Sequence, residues 1–259
     1  MKVLAIGDNC IDDYIVQHKK YVGGCSVNFS IYMQELGNES AYLGIVGNDE
    51  NGHLVADTME KRKVDISHLK VKKGQTAVTK IELIDGDRKF RGYTEGVLKE
   101  IELSESDMNY IGRFDLVHTS VFGNIEMYLS EIKKRTTVCY DFGDKLDRAD
   151  REEIFTNIDY AFFSYSQIDD YIKQYLKTTV LAGVKCAIAT LGENGSIAYD
   201  GNRFYRCGIK KVRVVDTIGA GDSFIAGFMN AKLYKNGIVQ CLEAGSEKAA
   251  STLQHFGAI

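Results

Sequence analysis

Proline is absent from all 259 residues, where average usage of ~5% would place about a dozen. Neither a cis-prolyl switch nor a proline-rich linker can operate in such a chain. Paired cysteines are absent too. Cys10, Cys25, Cys139, Cys186, Cys207 and Cys241 form no C-x-x-C pair and no metal-finger spacing, and a chain of this length needs no disulfide staples, so all six read as free thiols. Long apolar runs are missing as well. The first one stops at Asp8, too short for a signal-peptide core, and none approaches the ~18 residues of a membrane span. The expectation is a cytoplasmic protein without membrane attachment. An excess of one charge is also lacking: 32 Lys and Arg face 36 Asp and Glu, for a net charge of −4. The basic clusters Lys72-Lys73, Lys133-Lys134-Arg135 and Lys210-Lys211 are short and scattered, which does not make a nucleic-acid footprint.

What is present is an ordinary globular balance, 44% hydrophobic and 26% charged, arranged in alternating patterns. Apolar, β-branched runs at Val3–Ile6, Ala41–Val46, Asp115–His118, Thr137–Tyr140, Tyr160–Phe163 and Lys185–Thr190 predict buried parallel strands. Amphipathic stretches between them, at Ser26–Leu36, His53–Arg62, Ser104–Ile111, Ile125–Lys134 and Gln167–Leu181, predict helices. Strand and helix taking turns in this way point to an α/β architecture. One segment interrupts the order: Ala77–Ile84 alternates, Asp85-Gly86 is a hairpin signal and Arg88–Tyr93 returns, as in a lid or dimerisation arm. After Val215 the composition turns to Ala, Gly and Ser, and Ala220–Tyr234 and Ile238–His255 predict two closely packed helices.

Three glycine-bearing loops carry the chemical signal. Val212–Phe224 reads as strand, glycine loop and helix, so the amides of Gly219, Ala220 and Gly221 would point outward with the positive helix end behind them. That arrangement holds anions. A dinucleotide-binding loop fits poorly, because Phe224 stands where the third glycine belongs and mostly helix follows. A G-x-x-x-x-G-K-[ST] phosphate loop occurs nowhere in the chain. Asp222 would repel a resident pyrophosphate, yet it suits a reaction that takes a proton from an alcohol beside a phosphoryl group; by itself it is equally a helix cap. The second loop, Gly23-Gly24, precedes a helix on which Asn28 lies one turn beyond Gly24, so its amide can hold hydroxyls or simply belong to a helix start. In the third, Asp8 and Asp12 follow the first strand, where open α/β sheets place ligands, although both residues also form turns.

Together, Gly23-Gly24-x-x-x-Asn28 and Asp216-Thr217-Ile218-Gly219-Ala220-Gly221-Asp222 resemble the two signatures of the ribokinase (PfkB) family of sugar kinases. Gly7-Asp8-x-x-x-Asp12 and Thr190-Leu191-Gly192-Glu193-Asn194-Gly195 extend the resemblance along the chain. Ile6–Cys10, Val64–His68, Tyr93–Val97, Thr190–Ile197 and Gly219–Phe228 are similar to the fructoselysine-phosphorylating branch of that family. The resemblance implies a single ribokinase-like domain over residues 1–259, a three-layer α/β/α sandwich with a small β-strand lid from segments near 13–22 and 72–98. It implies transfer of the γ-phosphoryl group of ATP to a primary hydroxyl, that of C6 in fructoselysine or a related ketohexose derivative. Asp222 would be the base, with Gly219, Ala220 and Gly221 around the transferring group. Asp12, Gly24 and Asn28 would hold the sugar, and Arg88 and Glu95 in the lid would meet amino-acid charges on the substrate. Lys145, Thr190, Gly192, Gly195 and Thr217 would line the nucleotide site, with residues 245–252 walling the adenine.

Mg²⁺ is expected with the triphosphate, yet where many relatives carry N-x-x-E this chain reads Ser164-Tyr165-Ser166-Gln167. Its ligands stay unassigned, with Asp169 or Asp170 as candidate substitutes. Activation by a monovalent cation such as K⁺ and a homodimer formed through the lid are further expectations of this reading. Two alternatives remain alongside it: a nucleoside kinase of adenosine type on the same fold, and a non-catalytic sugar or nucleotide sensor.

Overall fold

The structure, a computed structural model, describes the backbone of residues 1–84 and 87–259 and the side chains of residues 1–82 and 89–259. The chain opens with β1 (Lys2–Gly7), in which Val3 and Ala5 face one apolar cluster while Leu4 and Ile6 face another. A strand apolar on both sides is stable only where both sides are covered, and β1 accordingly lies inside the main sheet. β2 (Cys10–Tyr14) and β3 (Lys19–Gly23) then leave that sheet as an antiparallel pair. The chain returns through α1 (Cys25–Glu35), β4 (Glu39–Gly47), α2 (Glu50–Lys61) and β5 (Asp65–Lys72). A second excursion follows as β6 (Val78–Ile84) and β7 (Asp87–Thr94). Alternation resumes with α3 (Glu105–Ile111), β8 (Leu116–Ser120), α4 (Leu129–Lys133) and β9 (Thr137–Asp141). It continues through α5 (Arg151–Thr156), β10 (Tyr160–Ser164), α6 (Asp170–Leu181) and β11 (Cys186–Thr190). The antiparallel β12 (Ser196–Tyr199) and β13 (Phe204–Cys207) and the helices α7 (Ala220–Leu233) and α8 (Ile238–Thr252) complete the chain.

The main sheet runs β13-β12-β11-β10-β9-β8-β1-β4-β5, and the six strands anticipated from apolar runs are its parallel centre. Helices α3, α4, α5 and α6 cover one face, and α1, α2, α7 and α8 the other. Residues 26–33 of α1 are all buried because the helix lies between the sheet and α7, which explains its weak amphipathic pattern. Where α7 meets α8, a Cβ on Gly227 would stand 2.5 Å from the Ala244 carbonyl oxygen and one on Gly245 would stand 2.9 Å from that of Phe224. The small residues of the C-terminal third thus serve helix contact. A four-stranded second sheet, ordered β3-β2-β6-β7, is built from the two segments expected as a lid. The hairpin turn expected at Asp85-Gly86 and the Arg88 side chain lie outside the described residues. Among the described residues no helix is long and apolar enough to cross a membrane.

Two local expectations are corrected. Val212–Val215, expected as a strand leading into the Gly219–Gly221 loop, is extended but unpaired in any sheet. Val214 and Val215 are half-exposed, and the Val215 N–H donates to the Leu253 carbonyl at the end of α8 instead. The run is apolar because Val212 and Val214 wall a cleft, not because a sheet buries it. Ile125–Lys134, expected as one helix, begins with a 3₁₀ turn at Glu126–Tyr128, and α-helix starts only at Leu129.

Candidate active site

The two glycine-capped helix starts lie side by side. At α1 the cap is Gly24, with φ of 109° and no side-chain cap; a Cβ there would come within 2.7 Å of the Asn9 Cα, so the close approach requires glycine. Asp8, just beyond β1, accepts hydrogen bonds from the Cys25 and Ser26 N–H groups, the Ser26 hydroxyl at 2.7 Å and the Ser120 hydroxyl at 2.9 Å. The positive end of α1 is thus neutralised by a buried carboxylate of the chain itself.

At α7 the cap is Gly219, left-handed with φ of 73° and again without a side-chain cap. The first firm helical bond runs from the Ser223 N–H to the Gly219 carbonyl at 2.8 Å, which leaves the amides of Gly221 and Asp222 at the open helix end. Residues 256–259 brace this loop from behind. The Gly257 N–H donates to Asp216 Oδ2 at 2.9 Å, and the Tyr32 hydroxyl donates to the Ala258 carbonyl.

Asp222 is not a cap. Its Oδ2 accepts from Asn28 Nδ2 at 2.8 Å, so the third residue of α7 is held by a residue on α1. Ligand atoms of Cys25, Asp141 and Asp222 lie within 4.8 Å of one another, and among the described residues neither carboxylate is paired with a lysine or arginine. Burial first, and then the Asp8 charge, pushes the Asp222 carboxyl up to about 6, against the opposing pull of the Asn28 and Cys25 donors. Burial and the Asp222 charge push Asp141 up to about 7. The Cys25 thiol is pushed up by burial and by the carboxylates of Asp222, Asp8 and Asp141, so it stays neutral and can donate. A carboxylate in such a place is ionised at neutral pH yet basic enough to accept a proton.

On one side of Asp222 lies a cleft of ≈ 810 Å³, within the range of small-molecule sites. Thr190, Gly192, Gly195 and Thr217 line it with Ala220 and Gly221, so six of the anticipated nucleotide and phosphate residues share one cavity. Phe224, Ala249, Ala250 and Leu253 supply an apolar wall suited to a flat ring. Lys145 is not among the lining residues: its half-exposed side chain pairs with Asp144 at 2.7 Å, in the loop after β9. Asp169 is held as the α6 cap, accepting from the Ile172 N–H at 2.9 Å and from Tyr165 and Gln167, while Asp170 is exposed and pairs with Lys173. Neither lines the cleft. Asp141 does, and the sequence carried no motif that singled it out.

On the other side lies the lid. Asp12 on β2 sits opposite Tyr21 of β3 and Thr79 of β6, and a Cβ on Gly23 would stand 2.7 Å from Asp12 Oδ2. Glu95, just after β7, accepts from Asn124 Nδ2 at 2.6 Å. Asp12 thus lies beside the Gly23-Gly24 turn that leads into the helix carrying Asn28, and Glu95 is held separately by Asn124.

Comparison with known proteins matches this geometry. The model of the pfkB family carbohydrate kinases matches residues 8–259. The chain is 39% identical over 260 residues to the fructoselysine 6-kinase of Escherichia coli, covering 100% of both. It is 34% identical to a fructosamine kinase of Bacillus subtilis, over 100% of this chain and 93% of that one. A solved ribokinase of Arabidopsis thaliana, complexed with ribose and ATP, superposes with a TM-score of 0.86 at 20% identity, over 99% of this chain and 93% of that one, which shows the ribokinase-like fold. With two glycine-capped helix starts linked by the Asn28–Asp222 hydrogen bond and a family match along nearly its whole length, the chain belongs to the pfkB family of carbohydrate kinases.

Proposed function

We propose that this protein transfers the γ-phosphoryl group of ATP to the C6 hydroxyl of a fructosamine, with fructoselysine as its reference substrate. The observation that carries the reading is Asp222, a buried carboxylate that caps nothing and is held by Asn28 of α1 beside the open end of α7. The full-length likeness to a fructoselysine 6-kinase supports the choice of acceptor.

In this reading Asp222 accepts the proton of the sugar hydroxyl as that oxygen attacks phosphorus. Asn28 keeps the carboxylate pointed at the proton, and its own Oδ1, buried and without a donor, accepts from a neighbouring hydroxyl. The open amides of Gly221 and Asp222, behind the Gly219 turn, offset charge on the transferring oxygens. Thr190, Gly192, Gly195 and Thr217 seat the nucleotide, and the lid strands exclude water from the acceptor. The residues present also fit Mg²⁺. Asp141 faces the cleft with the Gly143 N–H on its Oδ1 and no cation beside it, an oxygen donor of the kind this ion takes alongside substrate phosphates and retained water. When bound, the ion would offset triphosphate charge; Asp141 would hold it, in place of the missing N-x-x-E. The lid sheet has β3 and β7 at its edges, and pairing of two lids across a two-fold axis is part of the same reading.

The test is Mg²⁺-dependent ADP formation by wild type and Asp222→Asn, with fructoselysine, fructose, ribose and adenosine as acceptors, each with and without K⁺. Turnover by the wild type on fructoselysine, lost in the variant, is expected. Preference for adenosine would move the assignment to a nucleoside kinase, and ligand binding without any turnover would make the chain a sensor.

A further inference from the structure

The lid meets the main sheet through a bridge that the mechanism above does not use. Glu95, directly after β7, accepts from Asn124 Nδ2 at 2.6 Å. Asn124 sits in the turn after β8 with a left-handed φ of 55°. That turn is fixed to the sugar end of the site. The Ser120 hydroxyl accepts from the Phe122 N–H at 3.1 Å and donates to Asp8 at 2.9 Å, and a Cβ on Gly7 would stand 2.5 Å from the Gly123 Cα. The bridge thus stands at the C-terminal ends of β1 and β8, beside the residue that anchors α1.

Two large exposed rings lie close to it along the chain, each two residues from one bridge partner: Tyr93, 53% exposed, and Phe122, 48% exposed. Tyr93 shares a face with the sugar residues, because Asp12 pairs with Thr79 and Thr79 pairs with Tyr93 across three neighbouring strands, and laterally paired side chains project to the same side of a sheet. Burial, with Cys10, Glu95 and Asp8, pushes the Tyr93 hydroxyl above its usual range, which fits a phenol standing among those groups. Exposed aromatic rings beside a carboxylate are costly to leave in water and well suited to an organic cation.

We propose that Tyr93, Glu95, Phe122 and Asn124 form a subsite for the amine-bearing arm of the acceptor. Glu95, oriented by Asn124, receives the secondary ammonium attached to C1 of the ketose, and the two rings flank the carbon chain beyond it. The inference rests on the fructosamine reading above and adds to it the residues that separate a ketosamine from a plain ketose. It also orders their roles: the carboxylate reads the charge, and the rings read the length of the arm. Asn124 is a positioning residue that touches the substrate only through Glu95.

The test uses steady-state kinetics of the full chain with three acceptors that add one feature at a time: fructose, 1-amino-1-deoxyfructose and fructoselysine. Loss of a hydrogen bond to a charged group should lower selectivity by about tenfold or more. Glu95→Gln is therefore expected to reduce the kcat/KM ratio of both amines over fructose by about that factor, through KM. Phe122→Ala and Tyr93→Ala are expected to lower the ratio of fructoselysine over 1-amino-1-deoxyfructose several-fold. Asn124→Gly, which keeps the left-handed backbone accessible, should reproduce the Glu95→Gln pattern in weaker form. Parallel losses on all three acceptors, or losses in kcat with KM constant, would overturn the subsite while leaving the kinase assignment in place. A wild type that uses fructose but neither amine would overturn the fructosamine reading and the subsite with it. Thermal melting of each variant separates lost selectivity from lost folding.

Discussion

Helices α1 and α7 begin alike and end up with opposite electrostatic roles. Both follow a glycine of positive φ, 109° at Gly24 and 73° at Gly219, and neither has a side-chain cap. At α1 the first amides are consumed by Asp8. At α7 they stay open to a cleft, and the nearest carboxylate, Asp222, is drawn aside by Asn28 of α1. One glycine turn is therefore sealed from within and the other left open to the cleft. What separates them is the presence of an internal carboxylate, not the turn.

The strongest way to break this contrast is Asp222→Asn, which keeps the shape of α7 and removes the base; kcat for ADP formation should fall by ~10²–10⁴. Next comes Asp8→Ala, which leaves two amides and two serine hydroxyls of the α1 joint without their acceptor. A loss of ~3 kcal/mol or more in urea unfolding is expected, with activity falling as α1 and Asn28 lose their placement. A third experiment probes the ground under α1. His118 is stacked on Phe29 at 4.0 Å with neither ring nitrogen hydrogen-bonded, and burial lowers it to about 3. The unfolded chain takes up this proton below ~6.5 and the folded one does not. Stability should therefore fall by up to ~1.4 kcal/mol per pH unit as pH drops from 6.5 toward 3, and His118→Phe should flatten that slope in unfolding curves at pH 7 and pH 4.5.

Asp222 itself gives the opposite sign. Its folded carboxyl lies near 6, above the unfolded value, so the folded state holds that proton through the range where the unfolded chain releases it. Its contribution is favourable below ~4 and is lost as pH rises through about 6. Asp222→Asn should consequently melt higher than wild type at pH 8, with the gap closing toward pH 4. The smallest expected effect is on the pH profile. The acid limb of kcat/KM should fall near pH 6, and Asn28→Ala, by removing a donor that favours the ionised form, should move it upward.

Much of the site was legible because its signals are local. Gly219, Gly221 and Asp222 occupy successive positions of one turn, and Thr190, Gly192 and Gly195 another, so spacing along the chain carried them. Asp141 was not legible as a functional group, and Asp8, legible as a residue near a ligand end of the sheet, was not legible as the acceptor that seals α1. A lone Asp after a strand looks like a turn former, and only the arrival of α1 and α7 shows what each carboxylate faces. The strands β5 and β13 lie at the two ends of the main sheet, and their mixed exposure weakens the apolar signal that marked the central strands, while β12 is only four residues long. Val212–Val215 failed for the converse reason, since a cleft wall is as apolar as a buried strand.

By itself the amino-acid sequence determined the parallel centre of the sheet, the glycine turns and the identity of the acid poised among them, because strand burial and turn conformation depend on near neighbours. Only the tertiary structure decided which helix start is sealed and which is open, and that Asp222 is held by Asn28 rather than spent as a cap. Those outcomes depend on Asp8 meeting an amide 17 residues away and on Asn28 meeting a carboxylate 194 residues away. Such contacts are set by how helices pack on a sheet, and no periodicity along the chain encodes them.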